Sequence, residues 1–242
     1  MRQFTYSLLS LVILLASINS SLLAQEKYSN EKIWSGEFWA ESVWGIRSMA
    51  KGTSYTIQGN DSELGSVVEE YSYKSGKKLK TIVSSLSAFD DASKRFSSYT
   101  FSEDERFVLI TTDVESMYRH SFHANFYIYD TKSEETAKPL TDFSKGMQRL
   151  ATFSPSADKV AFVRGNNVFI ANLLDGIEIQ VTDDGLFNHI INGATDWVYE
   201  EEFGDDRGLK WSKDGAKLAY YKFDESAVRE FHMPKYTGLY PE

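Results

Sequence analysis

Short apolar runs separated by polar turns recur along most of the chain. The aromatic-serine pair Phe101-Ser102 is followed by a polar turn and then by the apolar run 107–110. The same order returns at Phe153-Ser154 and again at Trp211-Ser212, and a weaker copy runs from Met49 to Ile57. An aromatic strand end, a turn and a run rich in β-branched residues are typical of a β-hairpin. The repeated pattern therefore predicts a series of similar hairpins.

A second pair of predicted strands follows each of the first three hairpins. These pairs are Val67–Tyr73 with Lys80–Val83, Phe126–Tyr129 with Leu140-Thr141, and Val168–Ile170 with Val181-Thr182. Four strands in a repeat of roughly fifty residues are typical of one β-propeller blade. The sequence thus predicts an all-β fold, a partial β-propeller of about three and a half four-stranded blades. Outside the first 24 residues, helix is expected only at Ser87–Ser93 and around three consecutive glutamates, 200–202.

The first 24 residues have the pattern of a signal peptide. Arg2 supplies a positive start, Leu8–Ala16 is apolar, and Ala24 is a small residue suited to cleavage before Gln25. The apolar run is short for a membrane span. We therefore expect an exported protein, periplasmic, at the cell surface or extracellular, whose mature domain covers 25–242, with a retained amino-terminal anchor as the alternative.

Charge and cysteine content narrow the possible functions. The net charge is −9 and no basic block is present, which argues against nucleic acid as a partner. The chain contains no cysteine, so disulfides, thiol catalysis and cysteine-based metal sites are excluded. His120 and His123 would point to opposite faces of a strand, which makes them a poor metal pair. We expect no metal and no cofactor.

The segment Asp196–Phe203 carries the most specific chemical signal. Trp197, Val198 and Tyr199 alternate like a strand end, and Glu200, Glu201 and Glu202 follow as a brief turn or helical turn, because Glu is a good helix former and a poor strand former. Three neighbouring carboxylates repel one another unless a cation lies among them. Taken alone, such a run is most simply a solvated acidic turn.

The complete motif Asp-Trp-Val-Tyr-Glu-Glu-Glu at 196–202 resembles a signature of the dipeptidyl peptidase IV family of serine exopeptidases. That resemblance implies an eight-bladed propeller followed by an α/β-hydrolase domain. It also implies that Glu201 and Glu202 bind the free amino terminus of a peptide substrate, while Glu200 faces away. Both active glutamates are expected to lean over the binding cavity from an irregular turn, held in the blade by Trp197 and Tyr199.

Two further segments, Tyr118–Ser121 and Ile33–Tyr55, resemble the same family. In the first, the resemblance implies that Arg119 binds a substrate carbonyl; the second is similar to the first blade. A structural alternative for Arg119 is pairing with a carboxylate, with Asp130 nearby, or stacking on a ring.

No catalytic residue is predicted in this chain. A serine hydrolase of this class needs a Gly-x-Ser-x-Gly elbow, and the one matching glycine pair, Gly204 and Gly208, has Asp206 at its centre. We therefore expect no peptidase activity from these 242 residues.

Three functional hypotheses remain open. The first is the substrate-recognition propeller of a secreted dipeptidyl peptidase that removes Xaa-Pro or Xaa-Ala dipeptides. Its partners would be peptides with a free amino terminus, a carboxy-terminal hydrolase domain outside this chain, and a second copy in a homodimer. The second is a non-catalytic propeller that binds a ligand or protein, and the third is a family member that has lost activity. A hydrolase elbow further along the gene would separate them.

Overall fold

The computed structural model of the protein describes residues 28–40, 45–133, 135–231, 234 and 238. The predicted signal peptide, its cleavage position and His232 lie outside these residues. The chain divides into two compact units, residues 1–44 and residues 45–242. Among the described residues, no helix is long and apolar enough to cross a membrane.

The described part of the first unit contains one short helix, α1 (Asn30–Trp34). Ser29 caps it, because its hydroxyl accepts a hydrogen bond from the backbone N–H of Lys32 at 3.2 Å. This helix was not predicted. The expectation that a propeller blade begins near Ile33 is wrong at that end, since Ile33 is helical and the first strand among the described residues begins at Arg47.

The second unit is built from antiparallel sheets that follow one another along the chain. Sheet 1 contains β1 (Arg47–Ser48), β2 (Ser54–Asp61), β3 (Gly65–Ser72) and β4 (Lys78–Ser84). Sheet 2 contains β5 (Ser98–Phe101), β6 (Phe107–Ser116), β7 (Phe122–Asp130) and β8 (Lys138–Pro139). Sheet 3 contains β9 (Arg149–Phe153), β10 (Lys159–Arg164), β11 (Asn167–Asn172) and β12 (Glu178–Gln180).

Two shorter strand pairs follow sheet 3. One joins β13 (Ile190–Asn192) to β16 (Lys222–Asp224), and the other joins β14 (Leu209–Trp211) to β15 (Leu218–Tyr220). In each of the three complete sheets the strands are hydrogen-bonded in chain order. This meander is the architecture of a propeller blade, and the fold is a partial β-propeller, as predicted.

The repeated serine builds the same turn in three sheets. Ser102, Ser154 and Ser212 each accept, through the hydroxyl, the backbone N–H five residues later, at 2.9, 3.1 and 2.8 Å. Each hydroxyl also donates to an aspartate carboxylate of the same turn. The sequence repeat therefore encodes a set of serine hydrogen bonds that closes the turn at the start of the second strand of each hairpin.

Alternate residues of the central strands pack against the sheets on either side. In β6, Val108 and Ile110 belong to the core shared with sheet 1, whereas Leu109 belongs to the core shared with sheet 3. In β10, Phe162 packs towards sheet 2 and Val163 towards the β13–β16 region. Because a strand alternates its side chains, each blade stabilises both neighbours, which is how a propeller forms a continuous core.

Two short helical segments lie between the strands of sheets 1 to 3 in the described part of the chain. Helix α2 (Ser85–Phe89) begins at a capping box formed by Ser84 and Ser87, and it ends at Asp90 in the left-handed conformation. The predicted helix at Ser87–Ser93 exists but begins two residues earlier and ends sooner. The 3₁₀ turn Phe143–Lys145 was not predicted.

Candidate functional site: the glutamate helix and the Arg119 hairpin

A loop of residues 194–207 carries the three glutamates, and its base is held closed by backbone contacts. The N–H of Gly208 donates to the carbonyl of Gly193 at 3.2 Å, and Ala194 pairs with Arg207 in an isolated bridge. A Cβ on Gly208 would lie 2.9 Å from the Gly193 backbone. Glycine is needed here because no side chain fits between the two strands.

Side-chain contacts also hold this loop, one within the loop and one to β9. The hydroxyl of Thr195 donates to the carbonyl of Asp205 at 2.7 Å, across the neck of the loop. The guanidinium of Arg207 donates to the Thr152 hydroxyl of β9 at 2.6 Å. The loop is therefore anchored to its own strands and to sheet 3.

Within this loop the motif forms helix α3 (Trp197–Phe203). The carboxylate of Asp196 accepts the N–H of Tyr199 at 2.9 Å and so begins the helix, and Gly204 ends it at φ 66°. The predicted strand end at 197–199 is wrong, because the aspartate cap starts the helix at Trp197. Helix around the three glutamates was predicted and is confirmed, whereas the expectation that they lean from an irregular turn is wrong.

Aromatic contacts fix the helix against β16. The rings of Tyr199 and Phe223 lie 5.1 Å apart at an angle of 68°, and the ring of Phe203 lies 5.3 Å from that of Tyr199. Such edge contacts are favourable for aromatic pairs. The prediction that Tyr199 holds the segment in the blade is confirmed by these contacts, whereas the side chain of Trp197 is 55% exposed.

The hairpin formed by β6 and β7 carries Arg119 at its tip. A register shift between Thr112 and Glu115 interrupts the ladder, and pairing resumes between Glu115 and His123. The tip is closed by the N–H of Met117, which donates to the carbonyl of Ser121 at 2.9 Å.

The structure brings the predicted residues of both segments together. Nε of Arg119 donates to Oε2 of Glu201 at 2.8 Å; the Arg119 side chain is 70% exposed and that of Glu201 is 15% exposed. Glu202, the next residue on the helix, is exposed. Asp130, the other carboxylate considered for Arg119, is instead paired with Arg106 at 2.6 Å.

Glu200 is buried and lies against the same hairpin tip. It is 2% exposed, and its Oε1 accepts the backbone N–H groups of His120 at 2.6 Å and Ser121 at 2.8 Å. Burial opposes the charge on Glu200. The hydrogen bonds from His120 and Ser121, together with the nearby charge of Arg149, outweigh that effect and hold the pKa of Glu200 below its usual value.

Arg149, the first residue of β9, is a functional candidate that the sequence did not indicate. It is 6% exposed, and its Nε has no hydrogen-bond partner among the described residues. Burial lowers the pKa of Arg149, although Asp206 and Glu200 favour its charge. Arg149 lines a cavity of about 230 Å³ together with Tyr118, Trp197 and Glu200. An arginine in a strand shows no sequence feature that would distinguish this buried position from a surface one.

The neighbouring histidines are not arranged as a pair. His120 offers its backbone N–H to Glu200, and His123 lies on β7 opposite Glu115. Burial and the charge of Arg149 lower the pKa of His123, which favours its neutral form.

Comparison with known proteins assigns the family. The family model of the dipeptidyl peptidase IV (DPP IV) N-terminal region matches residues 102–242, more than half of the chain. The chain belongs to the dipeptidyl peptidase IV family. The matched region contains both the Arg119 hairpin and the glutamate helix.

Similarity to a solved structure extends over most of the chain. The crystal structure of Porphyromonas gingivalis dipeptidyl peptidase 4 is 43% identical, with a TM-score of 0.76, and the match covers 90% of this chain and 31% of that one. Among relatives, the probable dipeptidyl-aminopeptidase B of Talaromyces marneffei is 42% identical over 139 residues, 57% of this chain and 15% of the relative. Dipeptidyl peptidase 4 of Trichophyton rubrum is 39% identical over 154 residues, 63% of this chain and 19% of the relative.

The chain therefore spans 15% to 19% of the length of these two relatives and 31% of the Porphyromonas gingivalis structure. In the dipeptidyl peptidase IV family, this stretch is the N-terminal region.

Proposed function

We propose that this chain is the substrate-recognition propeller portion of an exported dipeptidyl peptidase IV-like serine peptidase. It would bind peptides by their free amino terminus so that an amino-terminal dipeptide, Xaa-Pro or Xaa-Ala, is released by a hydrolase domain outside these residues. Glu201 and Glu202 bind the ammonium group and Arg119 binds a peptide carbonyl. The pattern at 1–24 supports export.

The contact between Arg119 and Glu201 is the observation that carries this proposal. The Glu201 side chain is largely buried on α3, and its carboxylate is oriented by Arg119 at 2.8 Å. A carboxylate that is already oriented loses less conformational entropy on binding. Glu202 lies beside it, exposed to an incoming group.

Local charge favours a cationic ligand at this place. Glu201 and Glu202 lie in the last turn of α3, which contains no basic residue. Carboxylates near the carboxyl end of a helix are unfavourable, because the carbonyl groups there already carry partial negative charge. An arriving ammonium relieves this repulsion and offers three hydrogen-bond donors, which two carboxylates and one further acceptor satisfy.

Arg119 retains donors for a second group of the substrate. Its Nε is used by Glu201. The two terminal nitrogens have no hydrogen-bond partner within the described part of the chain and lie on a largely exposed side chain. A guanidinium presents its donors in a rigid planar fork, so one edge can bind Glu201 while another donates to a carbonyl.

The test is binding of a matched pair of ligands, Ala-Pro amide and its N-acetyl form, to the 242-residue chain by NMR titration. We expect the free amine to bind at least tenfold more tightly, and Glu201→Gln or Glu202→Gln to remove most of that preference, since each leaves a charged donor partly unpaired. Glu63→Gln, an exposed glutamate in the turn before β3, is the control. Equal binding of both ligands would disprove the amino-terminus site.

Hydrolysis separates the peptidase from a non-catalytic binding module. The product of the whole gene should release Ala-Pro from a free peptide and not from the acetylated one. An amine preference in binding with no hydrolysis by that product would favour the module instead.

A further inference from the structure

Two adjacent glutamates hold the same hairpin tip by different means. Glu201 binds the side chain of Arg119. Glu200 instead binds the backbone N–H groups of His120 and Ser121, the two residues that follow Arg119 in the chain. The amides of His120 and Ser121 converge on one oxygen, Oε1 of Glu200. Hydrogen bonds to an ionised acceptor are about twice as strong as neutral ones. The carboxylate of Glu200 therefore fixes the direction in which the chain leaves Arg119.

The tip has few other restraints of its own. Its internal backbone bonds are those from the N–H groups of Met117 and Tyr118 to the carbonyl of Ser121, at 2.9 and 3.4 Å. The ladder below it is interrupted by the register shift after Thr112. Without Glu200, the buried amide of Ser121 and the partly buried amide of His120 would both lose this acceptor.

Arg149 supplies the opposite charge beneath this contact. It is buried, it lines the same cavity as Glu200, and its charge favours the ionised carboxylate. Asp206 also acts on Arg149, and on the hairpin side the charge of Arg149 lowers the pKa of His123. A buried cation is costly unless negative groups compensate it, and Glu200 and Asp206 are the two carboxylates that favour the charge of Arg149.

We propose that Glu200 is a positioning residue for substrate binding: it holds the backbone at His120 and Ser121 so that Arg119 lies in register with Glu201, and Arg149 is its buried counter-charge. This inference rests on the proposed function, because it assigns a task to the tip that the amino-terminus site requires. It gives the first of the three glutamates a role different from that of the other two.

Four variants of the chain distinguish a positioning role of Glu200 from simple stabilisation of the fold. Glu200→Met removes the acceptor oxygen and one of the two carboxylates that favour the charge of Arg149. Glu200→Gln keeps an acceptor oxygen at the same place. The double variant Glu200→Met/Arg149→Met removes both charges together, and Glu63→Met, in the exposed turn before β3, is the control outside the site.

Three quantities are measured for each variant: amide hydrogen exchange at His120 and Ser121, affinity for Ala-Pro amide, and Tm. We expect Glu200→Met to lose protection at both amides and to bind the peptide roughly tenfold more weakly, the effect of losing a hydrogen bond to a charged group. Glu200→Gln should keep most of the protection and most of the affinity. The double variant should regain much of the Tm, since the buried charge of Arg149 is removed together with a carboxylate that favours it, but it should regain neither the protection nor the affinity.

Two results would overturn the inference. One is a double variant that regains affinity along with Tm, because Glu200 would then act through stability alone. The other is Glu200→Met with the exchange and affinity of the unaltered protein. Failure of the proposed function is recognised separately, by equal affinity of the unaltered chain for free and acetylated peptide, and the exchange rates at the tip still decide whether Glu200 holds it.

Discussion

Nε of Arg119 lies 2.8 Å from Oε2 of Glu201, although the two residues are 82 positions apart in the chain. One belongs to the hairpin of sheet 2 and the other to the helix that follows sheet 3. The contact therefore exists only when successive blades are correctly packed, and it couples the fold of the propeller to the geometry of the site.

This ion pair should matter for binding much more than for stability. The Arg119 side chain is 70% exposed, and exposed ion pairs contribute about 0 to 1 kcal/mol to the free energy of unfolding. We therefore expect Arg119→Ala to leave Tm almost unchanged. Its affinity for Ala-Pro amide should fall roughly tenfold to a hundredfold, because a charge-assisted hydrogen bond to the ligand is lost.

Thermal unfolding and NMR titration of the same Arg119→Ala sample check this prediction. Arg106→Ala, which breaks the ion pair with Asp130 elsewhere on sheet 2, is a matched control that should not alter affinity. A lowered Tm with unchanged affinity would show that Arg119 is a structural residue only.

The glycine at the base of the glutamate loop should tolerate no side chain. At Gly193, φ is 78°, and a Cβ would lie 2.7 Å from Val168 and 2.9 Å from both Leu209 and Val163. Gly193→Ala is therefore expected to cost on the order of 3 kcal/mol, from overpacking and backbone strain together. Urea unfolding measures the loss.

A second glycine separates the two causes. Gly165 also has a positive φ, 55°, but open space surrounds its missing Cβ. Gly165→Ala should cost only about 1 kcal/mol, the strain of the left-handed backbone alone. Equal effects at Gly193 and Gly165 would mean that crowding at the loop base is unimportant.

The hairpins were predictable because the residues that form each turn and its strands are close together in the sequence. The turn that begins at Ser102 uses a serine and an aspartate two residues apart, and the strands on either side alternate their apolar residues. Local signals of this kind need no knowledge of the rest of the chain. The same local information misled at Trp197–Tyr199, where an alternating apolar pattern outweighed a helix-capping aspartate.

The site itself could be predicted only in part. The motif resemblance singled out Arg119, Glu201 and Glu202, and the structure brings the first two into contact. Which of the three glutamates is buried could not be deduced, because neighbouring helical residues point about 100° apart and the orientation depends on packing. The buried position of Arg149 depends likewise on the hairpin and helix that cover it.

A bidentate ion pair within sheet 3 should be a large contributor to the stability of that blade. Arg164 donates to both oxygens of Glu178, at 2.6 and 3.0 Å, and the two side chains are only 11% and 16% exposed. Arg164→Met should lower the free energy of unfolding by on the order of 2 kcal/mol, since Glu178 loses its main charge partner. Lys145 contacts the same carboxylate at 3.4 Å but is 51% exposed.

Lys145→Met is therefore the matched control for Arg164→Met, and it should cost less than about 1 kcal/mol. Both values come from urea unfolding at neutral pH. A larger effect at Lys145 than at Arg164 would contradict the assignment of Arg164 as the main partner of Glu178.

Stability in acid should depend on Asp158, in the turn between β9 and β10. Hydrogen bonds from the hydroxyls of Ser156 and Ser154, with Lys159 nearby, lower the pKa of Asp158 from 3.8 to about 2. A lowered folded-state pKa stabilises the protein above pH 3.8, and the contribution is lost as the pH falls towards about 2. The Asp158 side chain is 32% exposed. Solvent screening therefore reduces the contribution of its carboxylate to the free energy of unfolding at neutral pH to on the order of 1 kcal/mol.

Asp158→Asn measures this contribution against pH. At pH 7 the variant should be less stable than the unaltered protein, and the difference should shrink as the pH falls below about 4, because the unaltered protein is then losing the same charge. Ser156→Ala removes the principal hydrogen bond, so it should move that loss to higher pH. Urea midpoints are compared down to the lowest pH at which unfolding remains cooperative. A difference between Asp158→Asn and the unaltered protein that stays constant with pH would show that the carboxylate charge is not what stabilises this turn.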